Sequence, residues 1–472
     1  MGIAPFWETI AAMRAAVPAG QWRLDEVGLR RLRELTQSLV EAKAGDIGER
    51  DRFLAIGQRG LCLPEGKLAD WLRGANVLVT GGTGCIGSAL MKQLAARRPG
   101  RLASVSRGVT DAWPRQAGAE YLHADIRDRR ALDKLMAEVR PDLVFHLAAQ
   151  RDPALAEVEV HRTVSTNILG TRNVLAAAAE AGVPQVVCSS TGKALRPYSP
   201  DVYAASKRAA EWVGSCVAAG GEMLCAAARF THVVDNSLIY QQLLGWAEGG
   251  VIRLHSADIT FYVQSALESA QLLLVAGLGS QPGQFPVHAI TDLGWPVSLL
   301  DLALGVLVRT GSAAPIYFSG YDPGYEEVPF PGLYDPATAG DVSPLMNAFE
   351  AAAASQSPCP RVDAFRLEMA PAPRAAKLLA ALDETCARTQ DRAAVRSRLD
   401  ELSWSLLEAT LQAAPRPALA RATALAHPHQ SALSPDFRRI LEVMGDIAQA
   451  DPGNGLQRQR GDGAESLTIR SH

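Results

Sequence analysis

The sequence predicts an α/β protein: a doubly wound, mainly parallel sheet with helices on both faces, followed by a smaller lobe and extended by helical regions at both ends. Three observations carry this. Short apolar runs (Asn76–Thr80, Leu102–Ser106, Asp142–Ala148, Gln185–Ser190 and Met223–Phe230) alternate with helical stretches, the rhythm of parallel strands buried on both faces. The first run leads directly into the glycine-rich Thr80–Gly87 and then a helical Ser88–Ala96. The chain is 48% hydrophobic and 21% charged, enough apolar residues to fill a large core.

Composition divides the chain further. Residues 1–73 read as a helical N-terminal extension. There Leu24, Val27, Leu32, Leu35 and Leu39 recur at helical spacing among charges and so line one apolar face. The α/β pattern occupies 74–230. Residues 231–345 are mixed and rich in Gly, Pro and aromatics, as a substrate-binding lobe would be. Residues 346–450 are rich in Ala, Leu and Arg and read as helical, and 451–472 is a polar tail expected to be disordered.

Lys and Arg total 47 against 50 Asp and Glu, a net charge of −3, whereas a dedicated nucleic-acid binder carries a clustered basic excess. No apolar run reaches the ~18 residues needed to span a bilayer. The stretch Met1–Ala16 contains Glu8 and Arg14 and lacks the layout of an export signal. Seven cysteines are scattered without a CxxC pair, which is neither a disulfide framework nor a zinc site. His427 and His429 have no carboxylate or cysteine nearby in sequence, so no metal is expected. These features point to a cytoplasmic protein with neither nucleic-acid nor membrane partners.

Gly81, Gly84 and Gly87 form a G-x-x-G-x-x-G pattern between a strand and a helix. Glycines let the backbone turn tightly and approach a pyrophosphate, and the helix N-terminus offers N–H groups to that anion. In this setting the loop, with Thr83, Cys85 and Ile86, is a dinucleotide site, and the sheet is of Rossmann type with a smaller substrate lobe. An NAD-selective site places Asp or Glu after the second strand to hold the ribose 2′-OH. Here the residues are Ser106 and Arg107, which favours NADP(H) and leaves NAD(H) possible, because Arg107 also reads as a solvated loop charge. Asp125 and Ile126 are placed for the adenine, and Leu147, Ala148 and Ala149 for the end of the fourth strand beside the cofactor.

Tyr203 and Lys207 stand four residues apart, on one face of a helix. A free tyrosine, with a pKa of about 10, is a poor base at neutral pH; a nearby ammonium is expected to lower that value. Lys207 would also hold the nicotinamide ribose, and Thr191, after the strand Gln185–Ser190, would hydrogen-bond the reacting oxygen. A Tyr–Lys pair alone is more often a surface contact; the glycine loop and the hydroxyl-ended strand give it weight.

Together these residues resemble the extended short-chain dehydrogenase/reductase family, and within it the CapD-like polysaccharide-biosynthesis branch of nucleotide-sugar epimerases and 4,6-dehydratases. The resemblance is carried by Val144–Ala149, Thr166–Asn173, Ser190–Ala194, Tyr203–Lys207, Asp258–Tyr262, Glu268–Leu273 and Gly320–Gly324. It implies a hydride-transfer triad of Thr191, Tyr203 and Lys207 acting at C4 of a sugar. It also implies Asn167 as support for the active-site helix, and Lys193 as the base on C5 once C4 is a ketone. Such relatives often pair through a four-helix bundle, so a homo-oligomer is expected.

The departures matter as much. The branch reads Ser-Thr-Asp-Lys where this chain has Gly192, and a glycine cannot protonate a departing hydroxyl. The branch's Thr-Arg-Tyr arginine is Phe261, the arginine of its Gly-x-Arg-Pro-Gly stretch is Asp322, and the asparagine of its Arg-Phe-x-Asn-Val stretch is His232. Arg229 and Arg253 are the cations left to compensate at a diphosphate, though ordinary surface roles fit both equally, and His232, a substrate-site candidate, reads more often as a packed, hydrogen-bonded residue than as a catalyst. The interval from Lys193 to Tyr203 is longer than in the branch and holds Pro197 and Pro200. Three readings follow. One is an epimerase, favoured over a dehydratase, acting on a sugar or nucleotide sugar through a 4-keto intermediate. The second is an NADP(H)-dependent oxidoreductase on a specialised metabolite without a nucleotide. The third is a non-catalytic dinucleotide-binding protein.

Overall fold

The computed structural model describes residues 3–21, 23–43, 48–108, 113–321, 329–334, 339–369 and 372–449. Asp322 and Gly324 of the Gly320–Gly324 stretch lie outside the described residues, as does the tail 451–472. The chain forms two compact units, one of residues 1–60, 231–268 and 293–327, the other of 61–230, 269–292 and 328–472.

The larger unit is built on a nine-stranded sheet. Its strands are β1 (Asn76–Thr80), β2 (Arg101–Ser106), β3 (Glu120–His123), β4 (Leu143–His146), β5 (Gln185–Thr191), β6 (Leu224–Phe230), β7 (Pro286–Ile290), β8 (Ala354–Gln356) and β9 (Val362–Arg366). The spatial order is β8-β9-β7-β6-β5-β4-β1-β2-β3. From β7 to β3 every pair is parallel, and β9 and β8 close the edge antiparallel. Parallel strands flanked by helices have no solvent face, and accordingly Val77, Leu78, Val79, Val144, Phe145, Val186 and Val187 are all fully buried. The sequence pattern located β1, β2, β4, β5 and β6. It passed over β3, which is only partly buried, β7, which lies in the stretch read as a mixed lobe, and β8 and β9, which come from a stretch read as helical throughout.

The helices that position the site are α1 (Cys85–Ala96), α2 (Arg129–Val139), α3 (Thr171–Glu180), α4 (Val202–Ala219), α5 (Ala348–Ala351), α6 (Pro373–Arg388) and α7 (Arg392–Ala413). A π-helical turn, Ser165–Gly170, leads into α3. Such turns are rare in helices and recur at functional sites. The C-terminal α6–α7 hairpin packs on the helical Val160–Gly170 and on α4. Arg172 on α3 pairs with Asp383 on α6 at 2.7 Å, and Arg208 on α4 donates to Thr410 on α7 at 3.1 Å. No helix among the described residues is long and apolar enough to cross a membrane.

In the smaller unit, the N-terminal helix Glu26–Ala42 buries Leu32, Leu35, Thr36 and Leu39. The three leucines join a core with Phe53, Ile252, Leu300, Leu304 and Ile316. The expected apolar face is correct at these leucines and wrong at Val27, which is 75% exposed at the helix start. Thr36 faces the core because its hydroxyl accepts the Ile316 N–H at 2.9 Å.

Leu39 has no exposed surface, so Leu39→Ala should lower unfolding stability by about 2–5 kcal/mol in urea titrations. Val27→Ala should stay within about 0.5 kcal/mol of the parent.

Candidate active site

Because β1, β4 and β5 are adjacent and parallel, their C-terminal ends open on one edge of the sheet, where α/β folds bind ligands. The loop after β1 is held by its glycines. Gly81 has φ +75°, and a Cβ there would lie 2.9 Å from the Ala148 nitrogen. At Gly87 a Cβ would lie 2.1 Å from the Gly81 oxygen. Both are therefore required by the fold of the loop itself. Gly84 differs. It begins α1 with no side-chain cap, and a Cβ there would meet only the Gly81 oxygen, at an ordinary 3.4 Å. What glycine preserves at 84 is open space in front of a helix N-terminus, where an anion would sit.

A buried relay lies beneath this loop. Thr171 donates its hydroxyl proton to the Asn167 carbonyl at 2.7 Å. It must then accept from His146 Nε2 at 3.0 Å, so Nδ1 of His146 accepts the Thr80 hydroxyl proton at 2.8 Å. The Thr80 oxygen in turn accepts the N–H groups of Leu147 and Ala148. Burial, helped by the Lys207 charge, pushes His146 down to about 3, so the ring stays neutral and this direction of donation persists.

At the far end, the Ser106 hydroxyl donates to the Gly108 carbonyl. Arg107, whose side chain is 39% exposed, reaches Asp125 only at 3.9 Å. Asp125 is held by a bidentate Arg127. Burial raises its carboxyl, but the Arg127 hydrogen bonds and the Arg107 charge outweigh this and bring it below the usual range. Asn173 clips the Ile126 and Arg127 carbonyls, and Ile126 itself is buried.

Two successive residues at the end of β5 are tied to α4. The Ser189 carbonyl accepts Lys207 Nζ at 2.7 Å, and the Ser190 hydroxyl donates to Glu211 at 2.6 Å. The Thr191 hydroxyl that follows acts on the Tyr203 phenol, in the lowering direction. The partners Tyr203, Lys207 and Glu211 lie on successive turns of one helix face. Asn167 on the π turn accepts the Gln150 N–H at 2.8 Å and donates to the Gln150 carbonyl and to Ser206, both at 3.0 Å. It therefore braces α4 from the other side. The expected lowering of Tyr203 by Lys207 is not found. Burial pushes the phenol up to about 12, with Asp201 adding to the rise and the Thr191 hydrogen bond and Arg151 charge only partly opposing it. Burial likewise draws Lys207 below the usual lysine range, against Cys188 and Glu211.

Lys193, on the turn after Thr191, pairs with Asp201 at 3.0 Å. The space beside Gly192 is filled: a Cβ there would lie 2.6 Å from Leu345 Cδ2. Arg229, expected at the substrate, is instead a core residue with no exposed surface. It is paired to Glu211 (2.8 Å) and Glu350 (2.7 Å) and donates to the Leu345 carbonyl (3.0 Å). These bonds use all its N–H groups and leave none for a phosphate. The longer interval before Tyr203 packs against α7. Tyr198 stacks on Trp404 with ring centroids 4.2 Å apart and donates to Asp400 at 2.8 Å.

His232 and Arg253 belong to the smaller unit. His232 contacts the Ser237 hydroxyl at 2.6 Å and meets Phe261 edge-on at 5.1 Å. Burial lowers it to about 4. Arg253 lies over the Tyr317 ring at 5.5 Å. Sequence reasoning missed Asp201, Glu211, Leu345 and Glu350. Asp201 alone left a signal, an N-cap aspartate at the start of a helix; the others are joined to the site only by the fold.

Two predictions follow from these interactions. In a double-mutant cycle, Arg229→Met and Glu350→Gln should each cost about 3–5 kcal/mol. The double variant should cost much less than the sum, since each single change strands a buried charge. His146, His232 and His288, lowered by burial to about 3, 4 and 4, resist protonation in the fold and accept it when unfolded. Stability is therefore greatest above pH ~6.5 and should fall toward pH 4, by up to about 1.4 kcal/mol per pH unit for each histidine. Urea midpoints measured against pH would check this.

Comparison with known proteins agrees with the fold. The chain is 29% identical over 303 residues to "Probable polysaccharide biosynthesis protein EpsC" of Bacillus subtilis, covering 60% of this chain and 50% of that one. It is 30% identical over 279 residues to "Capsular polysaccharide biosynthesis protein CapD" of Staphylococcus aureus, covering 54% and 45%. The chain thus spans about half the length of these curated relatives. The X-ray structure of Pen from Bacillus thuringiensis superposes with a TM-score of 0.54 at 22% identity, covering 62% of this chain and 88% of Pen; it bears on the fold alone. Residues 77–327, more than half of the sequence and including the glycine loop, Thr191, Tyr203 and Lys207, match the family described as "Polysaccharide biosynthesis protein", and to that family the chain belongs.

Proposed function

We propose that the chain is a nicotinamide-dependent sugar-modifying enzyme that works through a keto intermediate and leaves the neighbouring hydroxyl in place, an epimerase in preference to a 4,6-dehydratase. The carrying observation is the tie of β5 to α4. It sets the Thr191 hydroxyl against Tyr203 with Lys207 one turn further on, at the sheet edge that also bears the glycine loop. The residues present suit a dinucleotide. The open face of Gly84 and the uncapped start of α1 would take the pyrophosphate, and Ser106 and Arg107 would take a ribose 2′-phosphate, so NADP(H) is favoured over NAD(H). Once bound, the nicotinamide supplies a hydride acceptor that can also give the hydride back.

The chain's own residues handle protons and orientation. Thr191 would hold the reacting oxygen beside Tyr203. Tyr203 would take the hydroxyl proton, a role that needs its buried phenol, now pushed up to about 12, to be lowered by positive charge in the loaded site. Lys207 would hold ribose hydroxyls, and Asn167 would keep α4 in register. Leu345 beside Gly192 supports retention of the C6 oxygen, because an apolar side chain fills the place from which an acid would act. One observation favours a second reading, net oxidoreduction of a substrate without a diphosphate: the position of a phosphate-binding arginine is Phe261, packed on His232.

The test is incubation with NADP+ and a panel of nucleotide sugars in heavy water, followed by mass measurement. A gain of about one mass unit without loss of water means C–H exchange beside a transient ketone and is the expected result. Loss of water would overturn the preference for epimerase, and net NADPH accumulation would favour the second reading. Tyr203→Phe should lower turnover by about 10²–10⁴-fold, as loss of a proton-transfer group does.

A further inference from the structure

We propose that Asp201 is a positioning residue for Lys193, and that the Lys193–Asp201 pair is the proton-transfer unit beside the ketone; this rests on the keto-intermediate reading above. Asp201 is buried and does two things at once. One carboxylate oxygen caps α4 by accepting the Ala204 N–H at 2.9 Å, and the other holds Lys193 Nζ at 3.0 Å. Its own N–H is tied to Ser199 Oγ at 3.2 Å. The carboxylate is thereby anchored to the helix that carries Tyr203, two residues on, while Lys193 sits two residues past Thr191 on the facing turn. The lysine side chain remains 33% exposed, so it stays in contact with solvent. With Leu345 covering Gly192, Lys193 and Asp201 are the ionisable side chains this turn presents.

The step balances as follows. Neutral Lys193, having released a proton to solvent, forms a new N–H bond with its lone pair. The C–H bond beside the carbonyl breaks and its electrons pass into the enolate. The resulting ammonium lies against the Asp201 carboxylate, the charge-assisted pairing that the structure already holds at 3.0 Å. The reverse step returns the proton to carbon. The same carboxylate opposes ionisation of Tyr203, so its charge acts in opposite senses on the two proton transfers.

Asp201→Asn separates these roles, since asparagine caps helices as well as aspartate does and carries no charge. In the variant, C–H exchange into heavy water should slow by about tenfold or more, while oxidation of the substrate by NADP+ should quicken, because the carboxylate that opposes Tyr203 ionisation is gone. A merely structural defect would slow both. A second readout needs no substrate: acylation of the Lys193 amine in the full-length protein at pH 8, read by peptide mass. It should increase several-fold in Asp201→Asn, where the ammonium has lost its partner, and not in Asp201→Glu. Unaltered exchange in a variant that still oxidises substrate, or unaltered acylation, would overturn the role of Asp201. Failure of the parent to oxidise any substrate would count against the keto-intermediate reading instead, with the acylation result still deciding whether Asp201 holds Lys193.

Discussion

A single buried guanidinium ties this fold together. Arg229 on β6 lies between Glu211 on α4 and Glu350 on α5, without exposed surface. Taking these charges out of water, together with that of the buried Arg208 beside them, is costly, and only complete pairing offsets it. Each partner is accordingly fixed a second time. Glu211 accepts the Ser190 hydroxyl, and Arg208 reaches Glu350 at 3.0 Å. Glu350 and Asn347 close a reciprocal capping box. Burial raises the Glu211 carboxyl, but Arg229, Arg208 and Ser190 outweigh it and hold the group below the usual range. The cluster is therefore charged and rigid, and it joins the sheet to a segment beyond the family-matching region.

That constraint reaches the candidate site through short steps. Glu211 fixes Ser190, the neighbour of Thr191. The Leu345 carbonyl accepts from Arg229, and the Leu345 side chain covers Gly192. Asn347 donates to the Leu195 carbonyl at 2.6 Å. The turn bearing Lys193 is thus walled on one side by residues 345–350, and the stretch that follows is pinned to α7 through Tyr198 and Trp404. The C-terminal region thus belongs to the packing around the candidate site.

The central sheet and the identity of the glycine loop were legible because both rest on local rules. Buried parallel strands need continuous apolar runs, and a turn at φ +75° with backbone packed against it needs glycine at 81. The Tyr203–Lys207 spacing was legible for the same reason, since a helix dictates which residues share a face. Arg229 was misread for the opposite reason. An arginine at a strand end suits an anion as well as a carboxylate pair, and only the arrival of Glu350, 121 residues later in the chain, decides between them. Tyr203 shows the same limit in its electrostatics: its spacing to Lys207 was right, yet burial rather than the lysine dominates its ionisation.

By itself, then, the sequence determined the α/β class, the strand–glycine–helix turn and the family, because each follows from spacings of a few residues that backbone geometry converts directly into shape. The tertiary structure alone decided which cations remain at the site, what fills the space beside Gly192, and which acid partners Lys193. It also decided that the N-terminal helices share a core with residues 231–268 and 293–327. Those outcomes depend on contacts between residues far apart in the chain, where charge and volume must match across the core and no local pattern records the partner.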